Sequence, residues 1–237
     1  QLDDVINRTV QAGGNVVVPI FAIERAQEFL YYVSRLLHAG RIPQMPVFLD
    51  SPMAVDATAI FRRHRECFDV QAWQLISAGS SLFGFPGLRL VRSVEESKEI
   101  NEQEGSSIIL STSGMCTAGR IKFHLRQNIS REQSTILFVG YQAHGTLGRQ
   151  IVSGKKPRVR IHGRDYPVAA RVEQIRGFSG HADRTAMMRW LGYLQTPPER
   201  LFLVHGEEKQ ALAFAKHIEE TLGWKVTVPE YRDVVKV

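Results

Sequence analysis

Cysteine is nearly absent: Cys67 and Cys116 are the only two in 237 residues, far apart and in unlike surroundings. This excludes a disulfide framework and a paired-cysteine metal knuckle, and it fits a reducing, cytoplasmic setting. No apolar run approaches the roughly 18 residues that cross a membrane, and no leader pattern opens the chain, so no membrane partner is expected. GxGxxG is missing, and so is a phosphate loop with its lysine, which disfavours an ordinary nucleotide site. There is no internal repeat and no low-complexity tract.

What is present is the composition of a globular protein, 43% hydrophobic and 23% charged, enough for one large or two modest cores. The formal net charge is +6. Such an excess of Lys and Arg favours a polyanionic partner, because neutralising phosphates releases condensed counterions. Many equally basic proteins nevertheless bind no nucleic acid. The sequence starts at Gln1 without an initiator Met and runs at once into an amphipathic pattern, Leu2, Val5, Ile6 and Val10. It therefore reads as a piece of a longer chain.

Hydrophobic periodicity assigns the elements. A helix is predicted over 3–12, closed by Gly13 and Gly14, and a strand with apolar residues on both faces over 15–20. A 3.6-residue stripe at Ala26, Phe29, Leu30, Val33, Leu36 and Leu37 predicts a helix over 22–38. Strands are expected at 46–50, 88–91, 107–110 and 135–139, with helices at 54–67, 94–103 and 118–127. Strands repeatedly separated by helices imply right-handed crossovers, hence a doubly wound, mostly parallel α/β sheet with helices on both faces. After residue 153 the pattern changes: 158–162 and 165–175 read as antiparallel strands around a tight Gly163-Arg164 turn. A strand at 201–204, a helix at 207–222 and a short strand at 226–228 follow. Domains are accordingly expected at 1–153 and 154–237.

Two histidines stand where β-forming runs give way to helical patterns, the edge at which open α/β sheets collect ligands. His181 lies in Gly177-Phe178-Ser179-Gly180-His181-Ala182-Asp183, and His205 in Leu203-Val204-His205-Gly206-Glu207. Together they point to a metal or proton-transfer site, whereas a lone strand-end histidine is more often simply hydrogen-bonded. Asp183 is placed to cap the next helix through its carboxylate. Ser111-Thr112-Ser113-Gly114-Met115, between a strand and a helix, outlines a phosphate cradle, with a ligand-free Ser/Thr cap as the even alternative. Asp50 reads first as a turn former and second as an acid at a site. Lys155, Lys156, Arg158, Arg160 and Arg164 make a basic hairpin, a phosphate track or a solvated face. Phe83 and Phe85 either stack on unpaired bases or plug a loop. The remaining six histidines show no ligand spacing.

Four segments in this order, Phe48-Leu49-Asp50-Ser51-Pro52-Met53-Ala54, Ser113-Gly114-Met115 with Gly119-Arg120, the His181 segment and the His205 segment, resemble the β-CASP branch of the metallo-β-lactamase superfamily, the RNA-processing nucleases. The likeness covers nearly the whole chain. In that family a β-CASP domain is inserted into a metallo-β-lactamase fold. The resemblance thus makes 1–153 an N-terminally incomplete β-CASP domain and 154–237 the C-terminal, returning part of an αββα fold.

By position, the resemblance makes His181 the motif B histidine, a general acid at the leaving group, and His205 the motif C histidine, a zinc ligand. Ser111, Ser113, Gly114 and Met115 match the segment that contacts RNA phosphate. Histidine at motif C argues for RNA over DNA. The HxHxDH cluster and the motif A acid lie upstream of where this sequence begins, so the two zincs of the complete enzyme would take their main ligands from outside it. What the resemblance implies is a zinc-dependent hydrolase of RNA phosphodiester bonds, inactive as this chain alone, with RNA as partner, and compatible with a homodimer. A non-catalytic RNA-binding scaffold and a DNA nuclease of the same superfamily stay open.

Overall fold

Three consecutive valines, Val16 to Val18, put apolar side chains on both faces of one strand, and only a sheet covered on both sides buries them all. The computed structural model, which describes residues 1–77, 79, 81–178 and 180–235, has this arrangement. The chain forms two compact units, Gln1–Ser179 and Gly180–Val237. In the first, α1 (Leu2–Gln11) leads to β1 (Val16–Pro19), α2 (Arg25–His38), β2 (Val47–Asp50), α3 (Pro52–Arg63) and α4 (Val70–Ser77). Then come β3 (Leu88–Val91), α5 (Val94–Glu99), β4 (Ile108–Ser111), α6 (Ile121–Asn128), β5 (Thr135–Phe138) and α7 (Leu147–Val152). A hairpin of β6 (Arg158–Ile161) and β7 (Arg164–Pro167) precedes β8 (Arg171–Gln174).

Six strands form one wholly parallel sheet in the order β3-β2-β4-β1-β5-β8. From β1 the chain winds towards β3 through α2, α3 and α4. It then reverses, reaching β4 by α5 and β5 by α6. Right-handed crossovers running in opposite directions must place their helices on opposite faces. The cores obey this. Val16, Val18, Val47, Leu49, Ile108 and Leu110 pack with α1 to α4, while Val17, Phe48, Ile109, Ile136 and Phe138 pack with Ile121 and Leu125 of α6, Ile151 of α7 and Val159 of β6. The alternation along each strand is thus the division between two cores.

The predicted strands 15–20, 46–50, 88–91, 107–110 and 135–139 are all present, with bounds that differ by at most one residue at either end. The run 165–175 is not one strand. It divides into β7, antiparallel to β6, and β8, which joins the parallel sheet beside β5. Pro167, which has no N–H to donate, ends the first piece. The hairpin turn also sits one residue earlier than expected, at His162 and Gly163, both with positive φ (47° and 79°). Positive φ at both central positions is the type I′ geometry that matches strand twist.

The second unit holds α8 (Arg184–Leu191), β9 (Leu201–Phe202), α9 (Glu208–Leu222) and β10 (Val226–Thr227), with β9 and β10 parallel. Its buried apolar residues among those described are Leu191, Ala215 and Ile218, while Trp190, Tyr193 and Val204 stay exposed. No described helix is long and apolar enough to cross a membrane.

Close approach fixes the start of the sheet. A Cβ at Gly14 would lie 2.0 Å from the backbone oxygen of Gln133. Gly14→Ala should therefore lower stability by about 1–3 kcal/mol, seen as a lower urea midpoint at unchanged slope; a wild-type midpoint would show that the Gln133 backbone gives way.

Candidate functional site

In a parallel sheet all strands end on one edge, and a crevice opens where neighbouring strands send their chains to opposite faces. β4 is such a strand. Its continuation turns to α6, whereas those of β2 and β1 turn to α3 and α2 on the other face. The loop after β4 begins at Ser111, whose buried hydroxyl donates to the Asp50 carbonyl at 3.0 Å and joins the ends of β4 and β2. Thr112 continues this link by donating to the Ser51 hydroxyl at 3.1 Å, and Ser51 in turn caps α3 by accepting from the Ala54 N–H. Ser113 Oγ accepts from the Thr117 N–H at 3.1 Å, folding the loop on itself. The Gly114 carbonyl accepts from Gln142 Nε2 at 2.9 Å and the Met115 carbonyl from the Gly148 N–H at 3.1 Å. The N–H groups of Gly114 and Met115 have no acceptor among the described residues. Successive free N–H groups make an anion-binding concavity. Gly119 closes the loop at φ 81°, where a Cβ would also lie 2.3 Å from the Thr112 oxygen, so only glycine fits.

Beneath the loop lies a buried carboxylate. Asp50, the last residue of β2, is fully buried and accepts from Ser97 Oγ at 2.6 Å, His124 Nε2 at 2.6 Å and Arg120 Nη1 at 2.8 Å. Arg120 also donates to the Arg92 carbonyl at 2.7 Å, and His124 Nδ1 meets Asn101 Oδ1 at 3.1 Å. Burial opposes ionisation of Asp50, but the donors His124, Ser97 and Arg120, with the charge on His124, outweigh it and hold its carboxyl below the ordinary value. Asp50 is therefore not the turn former that the sequence ranks first. It is the centre of a network tying β2 to α5, α6 and β3. Its partner His124, without ligand spacing in sequence, is found only through the strand order, which sets β4 and its following helix beside β2.

The other candidates separate. Phe83 and Phe85 are buried, with Phe83 edge-on to Phe61 and Phe68, so they plug their loop rather than offer rings to bases. His181 and His205 are both exposed, in the second unit, ahead of α8 and α9. Asp183 caps α8 as expected, accepting from the Ala186 N–H at 2.8 Å, which fixes the turn two residues after His181. Ser179 lies outside the described residues. β9 ends at Phe202, two residues earlier than predicted, and His205 has φ 67°, a left-handed conformation that favours glycine. Among the described residues no three His, Cys, Asp or Glu side chains converge to hold a metal. The residues present thus do not by themselves fit a zinc centre. Cys116, in the loop after β4, is buried, and burial pushes its thiol up to about 12.

Comparison with known proteins agrees with the geometry. The model of the Beta-Casp domain matches residues 26–151, and that of the Zn-dependent metallo-hydrolase RNA specificity domain matches 165–229. Ribonuclease TTHA0252 of Thermus thermophilus is 39% identical over 213 residues, 90% of this chain and 48% of that protein. Transcription termination factor FttA of Methanocaldococcus jannaschii is 34% identical, over 98% of this chain and 37% of its own length. An RNase J-like protein of the same organism is 30% identical, over 97% and 52%. The chain thus spans about half the length, or less, of these curated relatives.

Asp50→Asn leaves charged donors facing a neutral amide and should cost about 3–5 kcal/mol, as removal of one partner from a buried pair does. A carboxyl held below its unfolded value of about 3.9 gives stability that is complete at neutral pH and lost as pH falls through the folded value. Urea unfolding from neutral to acid pH should show this acid limb in the wild type and a shallower one in Asp50→Asn; parallel curves would sink the assignment.

Proposed function

Because the chain belongs to the β-CASP family of the metallo-β-lactamase superfamily, we propose that it forms the substrate-binding and C-terminal parts of a zinc-dependent ribonuclease that hydrolyses RNA phosphodiester bonds. The observation that carries this reading is the loop after β4, whose unbonded Gly114 and Met115 N–H groups stand at the ligand edge of the parallel sheet. Relatives named as ribonuclease and RNase J-like protein support RNA as the substrate, as does the match to an RNA specificity domain. We assign 1–153 to the β-CASP domain and 154–237 to the returning metallo-β-lactamase segment, a division supported by family matches that end at 151 and begin at 165.

In this reading the N–H groups of Gly114 and Met115 receive an RNA phosphate, with Ser113 beside it and Ser111 holding the loop to β2 from below. Fixed amide dipoles serve here because they need no reorganisation when the phosphate arrives. His181 supplies the proton that the departing ribose oxygen requires, its backbone held by the capped turn ahead of α8. His205 is assigned as a ligand to one of two zincs whose other ligands this chain does not provide. Its left-handed backbone supports a functional reason for histidine at a place where glycine is easier. The free, well-separated cysteines are consistent with a reducing cytoplasm.

His181→Ala in the full-length protein should lower RNA cleavage by roughly 10²–10⁴-fold, the usual worth of general acid catalysis, while RNA affinity stays within about twofold. Cleavage within about twofold of wild type would remove the acid role, and unaltered activity against DNA with none against RNA would remove the ribonuclease reading. His205→Ala should also lower the zinc bound per protein, measured by elemental analysis, whereas substitution of the exposed His64 should not.

A further inference from the structure

Phenylalanine on a short helix normally turns inward, yet Phe123 of α6 is 52% exposed. It stands beside an imidazole and a guanidinium. The His162 ring lies 4.6 Å from it, centroid to centroid, at 43°, and the Arg126 guanidinium lies 5.9 Å from the ring centre. Lys122 and Arg126 enter no ion pair among the described residues, and both press on His162, whose imidazole is held below its ordinary value by desolvation first and then by these two charges. The hairpin extends the patch. Val159 and Ile161 of β6 point into the core, so Arg158 and Arg160 point out, donating to the carbonyls of Asp165 and Gly163. The acids nearby are Asp165, opposite Arg160, and Glu102 on the rim of the neighbouring groove.

That groove runs between α5 and α6, has a volume of ≈ 570 Å³, and is lined by Val94, Lys98, Asn101, Arg120, Phe123 and Arg126 among others. This is the size range of small-ligand sites. It begins where the phosphate-binding loop ends, since Arg120 both anchors that loop on Asp50 and walls the groove. A positive surface with an exposed ring is what an unpaired nucleic acid strand uses: cations follow its phosphates and aromatic faces take its bases. A protein partner would bring carboxylates to the cations but would leave the ring between them unused.

We propose that α6 and the β6–β7 hairpin form a second contact for single-stranded RNA, reached as the strand leaves the loop after β4, with phosphates on Lys122 and Arg126 and a base against Phe123. The proposal rests on the RNA reading above. It adds a binding surface that takes no part in bond cleavage and that sets how far beyond the cleaved bond the RNA must extend.

The test is fluorescence anisotropy of a labelled oligouridylate of about 12 nucleotides on the full-length protein, between about 50 and 200 mM salt. Lys122→Ala with Arg126→Ala should weaken binding by about tenfold or more and reduce the salt slope by about 1.4, two phosphates at about 0.7 each for a single strand. Phe123→Ala should weaken binding about fivefold or more, and Phe123→Tyr, which keeps the ring, should restore it. A double variant with the wild-type slope overturns the proposal and leaves the ribonuclease reading standing. So does Phe123→Ala with wild-type affinity. Absence of salt-dependent binding by the wild type overturns both.

Discussion

A carboxylate with no exposed surface persists only when donors replace the water it has lost, and the first unit is arranged so that Asp50 has them. Ser97 comes from α5, His124 from α6 and Arg120 from the position just before it, and through Arg120 the network reaches the backbone at the end of β3. The next residue, Ser51, caps α3 and receives Thr112, while the Asp50 carbonyl receives Ser111. Two adjacent residues at one strand end thus tie together three strands and three helices. The loop after β4 hangs from them at both ends, by Ser111 and Thr112 on one side and by Arg120 on the other. A loop held in this way keeps one backbone conformation.

The sheet beneath supplies the place. Its parallel build, covered on both faces, follows from two facts that the sequence displays, strands apolar on both faces and helices between them. The reversal of winding after β3 is not displayed, because nothing in a strand says which neighbour it will take. Reversal puts α6 on the opposite face from α3, and it opens the crevice beside β4. This also explains why Asp50 reads as a turn residue in sequence. Its partners are 47, 70 and 74 positions away, joined to it only when β2 and β4 pair.

Strand positions were legible because Val, Ile and Leu runs bounded by Gly, Pro or Asp have few alternatives, and the cap at Asp183 was legible because capping is local. Two kinds of feature were not. Leu147–Val152 is a helix of six residues, too short for periodicity to show. The stretch 165–175 contains enough β-forming residues for one strand, and only Pro167 and the competing edge at β5 divide it. Strand-end placement pointed to His181, His205 and the Ser111–Met115 segment, with family likeness then giving each a role, and no pattern of charge or spacing pointed to Arg120 or His124. Phe123 was invisible for another reason: exposure of an aromatic depends on what packs beside it, here a hairpin whose turn the sequence placed one residue late.

That turn bears on what the molecule does. A two-residue type I′ turn prefers Asn-Gly or Asp-Gly, since both residues take positive φ, yet this hairpin uses His162 with Gly163. The left-handed conformation costs a side-chain-bearing residue roughly 1–2 kcal/mol, and Asn reduces that cost. What histidine gains in return is its ring against Phe123, beside Lys122 and Arg126. His205 departs from the rule in the same way at φ 67°. Backbone conformations that a sequence could have made easier, but did not, are best explained by the side chains they display. In both places the side chain is an imidazole, whose two ring nitrogens can exchange a proton as the side chains of asparagine and glycine cannot.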